Sequence, residues 1–324
     1  MTPHHEIVKA YGTRHATEVK AVGSVRPGDR VACSQALLGE TLPRSTTHWY
    51  TSVSVHPEPP PVLVLAGGQG LRLRAAQDDP ELADTPKLLV RLASGQPMLG
   101  QALTDLARSG LRRICLLTGA PETGGDLIRR YVHAHTGEIS LRILRERQPL
   151  GTAGAVYAAL GHLHDEVVAV APADTLFPFE QLPAIITRHR EAGHLLTWAV
   201  TSRPGPAAQN IGRLRARDGL LIHADESGTA PECAAGEPVT GVGVMVINTA
   251  GYRRAFTAYV RTLPAPGPVD LYRDVVPWLL ATGHCVAVAD IACPAPDLGT
   301  PERLRAFGRT AFRPSAFGAS AADA

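Results

Sequence analysis

A glycine-rich segment that directly follows an apolar run is the most informative feature of this 324-residue sequence. Glycine lets the backbone approach an anion and direct N–H groups at it, and a guanidinium can bind two phosphate oxygens at once. A tight strand-to-helix turn is the structural alternative, and neither a Walker loop nor the GxGxxG fingerprint is present here. The candidate phosphate-binding residues are Leu65, Ala66, Gly67, Gly68, Gln69, Gly70 and Arg72.

Two aspartates lie in loops that are far apart in sequence. Asp174 follows the apolar run Val167–Ala171, and Asp297 begins the segment Asp-Leu-Gly-Thr-Pro-Glu. Ligands of α/β sheets bind at the carboxyl ends of strands, and Mg²⁺ favours one or two carboxylates completed by substrate oxygens and water. The pair could therefore hold one Mg²⁺ ion, although Thr300 as an N-cap and Pro301 as the first helical residue also explain the second segment.

A third segment, Arg-Gln-Pro-Leu-Gly-Thr-Ala-Gly-Ala, could contact a nucleobase. Gln148 offers both a donor and an acceptor to the edge of a base. Gly151 would let a flat ring approach the backbone. A closely packed helix start is the alternative explanation of the same residues.

Together these segments resemble the signature of the sugar-1-phosphate nucleotidyltransferase family. The resemblance rests on Leu65–Leu73, on Pro86-Lys87, on the Pro-Leu-Gly-Thr-Ala-Gly-Ala segment, on Asp174 and on the segment that begins at Asp297. It extends over roughly residues 61–309, and the motifs occur in the family's order. The motif style is closest to members that act on mannose or heptose 1-phosphates with GTP.

The resemblance implies roles for individual residues. The glycine loop would wrap a nucleoside triphosphate, and Gln148, Gly151 and Thr152 would contact the nucleotide. The resemblance implies that the catalytic residues are Arg72, Lys87 and Asp174. It implies that the metal-binding residues are Asp174 and Asp297. The implied sugar-phosphate-binding residues are Thr240, Gly241 and Arg213.

The implied reaction joins a nucleoside monophosphate to a sugar or cyclitol 1-phosphate and releases pyrophosphate, with GTP as the first expected donor and Mg²⁺ as the cofactor. Two alternatives remain open. One is a catalytically silent regulatory protein that binds a nucleotide sugar, and the other is a cytidylyltransferase for a cofactor precursor. The presence of both aspartates disfavours the first, and the Asp-Leu-Gly-Thr segment disfavours the second.

The sequence departs from the family pattern at three places. Leu71 replaces the usual threonine, and Ala173 replaces a glycine. The stretch Ile222–Gly228 also lacks the lysine that meets the acceptor phosphate in the family, and we expect Arg213 or Arg215 to replace it.

After the proline run that ends at Pro61, apolar β-rich runs alternate with amphipathic segments. This pattern predicts an α/β fold, a Rossmann-like mixed and mainly parallel sheet flanked by helices. Asp218-Gly219 predicts a hairpin turn. The predicted strands are Val62–Ala66, Arg113–Thr118, Ser140–Arg145, Val167–Ala171, His194–Thr201, Val239–Ile247 and Val286–Ile291. The predicted helices are Met98–Ser109, Asp126–His135, Ala153–Leu163, Phe179–Ala192, Tyr252–Arg261 and Leu271–Thr282.

The domain prediction has three parts: a β-rich appendage and Pro-rich linker at 1–60, a nucleotidyltransferase domain at 61–313 and a disordered tail at 314–324. The balance of 32 Lys+Arg against 30 Asp+Glu argues against a nucleic-acid partner. No stretch is apolar enough for a membrane, and five scattered cysteines without a CxxC pair suit the cytoplasm. We expect a homo-oligomer.

Overall fold

The structure is a computed structural model that describes residues 58–68, 85–119, 124–135, 139–205, 213–225, 235–300, 302–304 and 307. Within these ranges one sheet is flanked by α-helices. The strands are β1 (Val62–Ala66), β2 (Arg113–Thr118), β3 (Ser140–Arg145), β4 (Val167–Pro172), β5 (Leu196–Thr201), β6 (Arg213–Arg217), β7 (Leu220–Asp225), β8 (Glu237–Asn248) and β9 (Val286–Asp290). The helices are α1 (Met98–Arg108), α2 (Gly125–His135), α3 (Gly151–Leu160), α4 (Leu182–Ala192), α5 (Thr249–Val260) and α6 (Val276–Ala281).

Some predictions concern residues outside these ranges. The appendage before residue 58, the tail after residue 313 and three members of the glycine loop (Gln69, Gly70 and Arg72) are not described. The boundaries of the predicted domains therefore stay predictions. None of the described helices is long and apolar enough to cross a membrane.

The apolar strands are buried on both faces, as a sheet with helices on both sides requires. In β1, Leu63 packs on the side of α3, α5 and α6, whereas its neighbours Val62 and Val64 pack on the side of α1, α2 and α4. This alternation explains why β1 is a continuous hydrophobic run rather than an alternating one. The predicted α/β class is confirmed.

The order of the strands is β3-β2-β1-β4-β8-β5-β9-β7-β6. The first four strands in this order are parallel to one another, so their carboxyl ends share one edge. We call this edge the carboxyl edge. β8 lies between β4 and β5 and is antiparallel to both, so β8 begins at the carboxyl edge. The residues that follow β1, β3 and β4 and the first residues of β8 therefore lie at the same edge of the sheet.

The predicted hairpin is present as β6 and β7. Its turn contains Asp218 with φ +53° and Gly219 with φ +75°. These are the two positive φ values that a type I′ turn needs, and Asp-Gly supplies them at low cost. β6 pairs with the first residues of β8.

A buried histidine fixes α4 against β5. His189 is 2% exposed, and its Nδ1 lies 2.9 Å from Oγ1 of Thr197. Burial, together with the nearby charges of His194 and Arg190, lowers the pKa of His189 to about 4. The imidazole is therefore neutral in the folded chain.

This histidine predicts a loss of stability in weak acid. Between pH 6.5 and about 4 the unfolded chain binds a proton at His189 that the folded chain does not. The free energy of unfolding therefore falls as the pH decreases through this window, by about 2 kcal/mol from this group at pH 5. Urea titrations at pH 7.5 and pH 5 measure the change.

His189→Gln is the matched variant, because it keeps a polar side chain but cannot gain a proton. The pH 7.5 to pH 5 difference should be smaller in this variant than in the parent chain. Equal differences in the two proteins would show that the histidine does not cause the acid sensitivity.

Candidate active site

Main-chain pairing brings the two predicted aspartates together at the carboxyl edge. Thr175 and Asp297 form an antiparallel β-bridge. The N–H of Leu298 donates a 2.9 Å hydrogen bond to the carbonyl oxygen of Asp174. The loop after β4 is therefore joined to the segment around Asp297 by its backbone, which fixes the two carboxylates in the same place.

Lys87 lies at the same junction. Its Nζ forms an ion pair with Oδ2 of Asp174, and the side chains of the pair are 15% and 24% exposed. Lys87 begins a short 3₁₀ turn (Lys87–Leu89), which is anchored by the buried Leu88. This anchoring holds the ammonium group beside the carboxylate.

Asp297 is partly buried, with 34% of its side chain exposed. Burial raises the pKa of Asp297, and the negative charge of Asp174 raises this pKa as well. The positive charges of Lys87 and Arg303 act in the opposite direction, as does a hydrogen bond from Gly299. The N–H of Gly299 lies 2.6 Å from Oδ1 of Asp297, and Nη1 of Arg303 lies 2.5 Å from Oδ2.

Arg303 was not identified from the sequence. The N–H of Arg303 lies 3.4 Å from Oγ1 of Thr300, so Thr300 caps the short helical turn as its position suggested. The same turn returns Arg303 to Asp297. The predicted metal-binding role of Asp297 stays a prediction. The signal in the sequence that could have identified Arg303 was its position six residues after Asp297, across a predicted turn.

The glycine loop begins against a third acidic side chain, Glu146. A Cβ at Gly67 would overlap Oε2 of Glu146 and would stand 3.4 Å from the backbone nitrogen of Gly119. Gly68 has open space on the side where its Cβ would stand. Leu65 and Ala66 are the last residues of β1 and lead into this loop.

Glu146 directly follows β3 and has no described cation as a partner. Burial raises the pKa of the Glu146 carboxyl, and a hydrogen bond from the backbone of Leu150 lowers it. No role for this residue was predicted from the sequence. Its position at the end of a predicted parallel strand was the signal that could have identified it.

The structure gives a different reason for the glycine at position 151. Gly151 has φ +72°, and a Cβ there would overlap the backbone of Val269. Val269 donates from its N–H to the carbonyl oxygen of Leu150 and accepts from the N–H of Ala153, both at 2.9 Å. The side of Gly151 on which a Cβ would stand is therefore filled by protein, and the predicted contact with a base stays a prediction.

Thr152 is used in the same junction. Its Oγ1 accepts a 2.7 Å hydrogen bond from the N–H of Leu271 and lies 3.2 Å from Oδ2 of Asp270. The hydroxyl therefore fixes the start of α3 to the π-helical turn Leu271–Val275. Gln148, by contrast, is exposed.

The residues predicted to contact the sugar phosphate lie near the beginning of β8. Thr240 pairs with Thr201, and a Cβ at Gly241 would overlap the ring of Trp198. Arg213 begins β6, the strand that pairs with the first residues of β8. The backbone thus brings these predicted residues to the half of β8 that starts at the carboxyl edge.

Chemically, this arrangement combines two carboxylates with two cations beside a glycine loop. β1 pairs with β4 through Leu65 and Pro172, so the glycine loop and the Asp174 loop are neighbours. Within the described ranges, no three or more His, Cys, Asp or Glu side chains cluster to hold a metal ion. A divalent cation bound between Asp174 and Asp297 would need further oxygens from a substrate or water.

The sequence profile of the family described as "MobA-like NTP transferase domain" matches residues 62–263, which is more than half of the chain. The chain belongs to this family of NTP transferases. The resemblance inferred from the motifs is confirmed, and the matched residues include Lys87, Asp174 and Glu146.

Curated relatives of this NTP transferase are similar at low identity. D-glycero-alpha-D-manno-heptose 1-phosphate guanylyltransferase of Aneurinibacillus thermoaerophilus is 28% identical over 51% of this chain and 67% of its own length. Mannose-1-phosphate guanylyltransferase of Mycobacterium tuberculosis is 24% identical over 74% of this chain and 61% of its own length. The bifunctional protein GlmU of Carboxydothermus hydrogenoformans is 26% identical, and the chain covers 50% of it.

Solved structures show the same fold. HddC from Yersinia pseudotuberculosis, in complex with GMP-PN, matches with a TM-score of 0.58 and 19% identity, covering 77% of this chain and 98% of that chain. The inositol-1-phosphate CTP transferase from T. maritima matches with a TM-score of 0.60 and 17% identity, covering 79% and 99%. The Rossmann-like arrangement of the NTP transferase is therefore confirmed.

The packing of Gly299 predicts a sensitive position. A Cβ there would stand 2.7 Å from Oδ1 of Asp297 and 3.1 Å from Nζ of Lys87. Gly299→Ala should displace both charged ends and lower kcat/KM about tenfold to a hundredfold, because small errors in position are costly in catalysis. Pyrophosphate release from a nucleoside triphosphate measures the effect.

Gly267→Ala is the control, since its Cβ would meet nothing within 4 Å. This variant should keep the parent activity, and both variants should keep the parent melting temperature to within a few degrees. Full activity in Gly299→Ala would contradict the prediction that activity depends on the close packing of Asp297 and Lys87 around Gly299.

Proposed function

We propose that this NTP transferase moves a nucleotidyl group from a nucleoside triphosphate to a sugar or cyclitol 1-phosphate and releases pyrophosphate. The observation that carries the proposal is the convergence of Asp174, Asp297 and Lys87 beside the loop that follows β1. Membership of the family supports the reaction class. The names of the heptose and mannose 1-phosphate relatives support a sugar phosphate as the acceptor.

The proposed chemistry is an in-line displacement at phosphorus. An oxygen of the acceptor phosphate attacks the α-phosphorus, and a new P–O bond forms. The bond between the α-phosphorus and the bridging oxygen breaks, and pyrophosphate leaves with the electron pair. The acceptor phosphate is already anionic near pH 7, so the main obstacle is repulsion between the two substrates, about 4 kcal/mol for unit charges 4 Å apart at an effective dielectric constant near 20.

Charge neutralisation and positioning are accordingly the tasks of the protein. Asp174 holds the ammonium group of Lys87 at the carboxyl edge, where it would attract the phosphate oxygens. Arg72 would join Lys87 in holding the departing pyrophosphate. Arg303 acts through Asp297, whose Oδ2 it holds at 2.5 Å.

The donor set of the site fits a divalent cation, and Mg²⁺ is the ion that we propose. Asp174 and Asp297 lie close enough for the charge of one to raise the pKa of the other. Oxygen-only sites with one or two carboxylates are the sites that Mg²⁺ prefers. A bound Mg²⁺ would supply positive charge to the phosphate oxygens of both substrates.

Glu146 supports GTP as the donor. Its carboxylate accepts hydrogen bonds only, and it lies against Gly67 at the start of the glycine loop. Guanine is the base that presents two adjacent donors, N1–H and the N2 amino group, on its Watson–Crick edge. A carboxylate can accept both of these bonds, whereas the mixed donor and acceptor edges of the other bases leave one of its oxygens opposite an acceptor.

The acceptor would lie on the side of β8. Thr240 and Gly241 lie near the strand's first residues, and Arg213 lies in the strand that pairs with them. Arg213 or Arg215 would take the place of the lysine that the sequence lacks. The cellular location and the oligomeric state stay predictions.

Replacing either metal-binding candidate should nearly abolish turnover. Asp174→Asn and Asp297→Asn each remove one negative charge from the donor pair, and we expect about a hundredfold to thousandfold loss of rate. A single-turnover assay of pyrophosphate release, with GTP and a panel of sugar and cyclitol 1-phosphates, measures the loss.

Asp165→Asn is the matched control for these variants. Asp165 is 24% exposed like Asp174, and it pairs with Arg113 at 2.8 Å at the start of β2. This variant should turn over normally. Near-normal rates in both Asp174→Asn and Asp297→Asn would refute the proposed mechanism. A parent chain that binds nucleotide sugar without turnover would indicate a regulatory protein.

The choice of base should depend on Glu146. Glu146→Gln places an N–H group where guanine also donates, so kcat/KM for GTP should fall about tenfold to a hundredfold. The values for ATP, CTP, UTP and dTTP should change much less. Glu191→Gln, at an exposed position of α4, is the control. A parent chain that prefers another base, or an unchanged preference in Glu146→Gln, would refute this role.

A further inference from the structure

A second cleft, between α3 and α5, contains none of the residues of the candidate active site. Its volume is about 470 Å³, which lies in the range of small-molecule sites. Its lining consists of three arginines, two hydroxyl side chains and one alanine, which are Arg253, Arg254, Arg261, Tyr157, Thr257 and Ala258.

The arginines share one face of α5. Arg254, Ala258 and Arg261 follow one another at helical spacing, and Arg253 and Thr257 lie beside them on the next row. The opposite face of α5 is buried in the core through Tyr252, Phe256 and Val260. The cationic face is therefore held in a fixed orientation by the burial of the other one.

The floor of the cleft is ordered by an aromatic ring. The guanidinium carbon of Arg253 lies 5.5 Å from the centre of the Tyr157 ring. Tyr157 is 5% exposed, and its hydroxyl lies 3.4 Å from Oγ1 of Thr257. Its ring also packs on Phe256, with ring centres 4.8 Å apart. One guanidinium and two hydroxyls are thus placed in advance around the same space.

The positive charge of the cleft has no acidic counterpart among the described residues. Neither α3 nor α5 contains an acidic residue. Some other described arginines pair with carboxylates, as Arg113 does with Asp165. Arg253, Arg254 and Arg261 form no such ion pair within the part of the chain that the structure describes. Three like charges in one cleft raise the local concentration of anions.

We infer that this cleft is a binding site for a small phosphorylated metabolite, separate from the catalytic site. Guanidinium groups fit phosphate oxygens in pairs, and the hydroxyls of Tyr157 and Thr257 offer further hydrogen bonds. The aromatic floor suits a ligand that carries an organic group beside its phosphate. The nearly neutral chain, with 32 basic and 30 acidic residues, favours a small anion over a nucleic acid.

Calorimetric titration with inorganic pyrophosphate, without added metal, tests the inference on the full chain. The test variant is Arg254→Gln with Arg261→Gln, because both side chains are exposed and Arg253 keeps its contact with Tyr157. Arg188→Gln with Arg190→Gln removes the same charge from exposed positions of α4 and serves as the control. Lys87→Ala separates binding at the candidate active site from binding in the cleft.

A binding event should persist in Lys87→Ala and in the α4 control but weaken about tenfold or more in the Arg254/Arg261 variant, since charge-assisted hydrogen bonds are lost. Unchanged melting temperatures would exclude unfolding as the cause. The inference is overturned if the parent chain binds no pyrophosphate outside the Lys87-dependent event, or if the α4 control loses the same affinity.

A lipid headgroup is the other source of phosphate, and sedimentation with phosphatidylcholine vesicles that contain phosphatidylglycerol distinguishes it. Arginine-dependent binding to these vesicles without arginine-dependent binding of pyrophosphate would also overturn the inference. These readouts do not involve nucleotidyl transfer, so failure of the cleft and failure of the proposed reaction are distinguishable.

Discussion

The hydrogen bond from the N–H of Leu298 to the carbonyl oxygen of Asp174 is the constraint on which the candidate active site depends. It joins two loops more than a hundred residues apart and forces two carboxylates into one partly buried place. Like charges in such a place repel, and burial adds a desolvation cost. The positive charges of Lys87 and Arg303 oppose this cost at Asp297.

The sheet places this set of charged groups at the edge where the two proposed binding regions lie. Because β1, β3 and β4 run in the same direction, the loops after them share the carboxyl edge, which is the usual ligand-binding edge of α/β sheets. Because β8 runs the other way, its first residues reach the same edge. The region proposed for the nucleotide, in the first half of the chain, therefore shares this edge with the region proposed for the acceptor, in the second half.

The sequence was sufficient where the signals are local. The bounds of β2 and β3 agree residue for residue with the predicted strands, and Asp218-Gly219 forms the predicted turn. Contacts between distant residues carried no local signal, which is why the packing of Glu146 on Gly67 and of Gly151 against Val269 was not predicted. The predicted helix Phe179–Ala192 is instead a 3₁₀ turn followed by α4, since Pro183 suits the first turn of a helix but not its interior. The roles of individual site residues stay predictions.

The position of β8 also has a consequence for synthesis on the ribosome. β4 and β5 leave the ribosome well before β8, yet each depends on β8 for one of its two neighbours. Until Glu237–Asn248 has been made, one border of β4 and both borders of β5 are unpaired and open to other chains, because β9 is made later still. Closure of the sheet is therefore a late event of high contact order, and the nascent chain has its greatest tendency to aggregate during that interval.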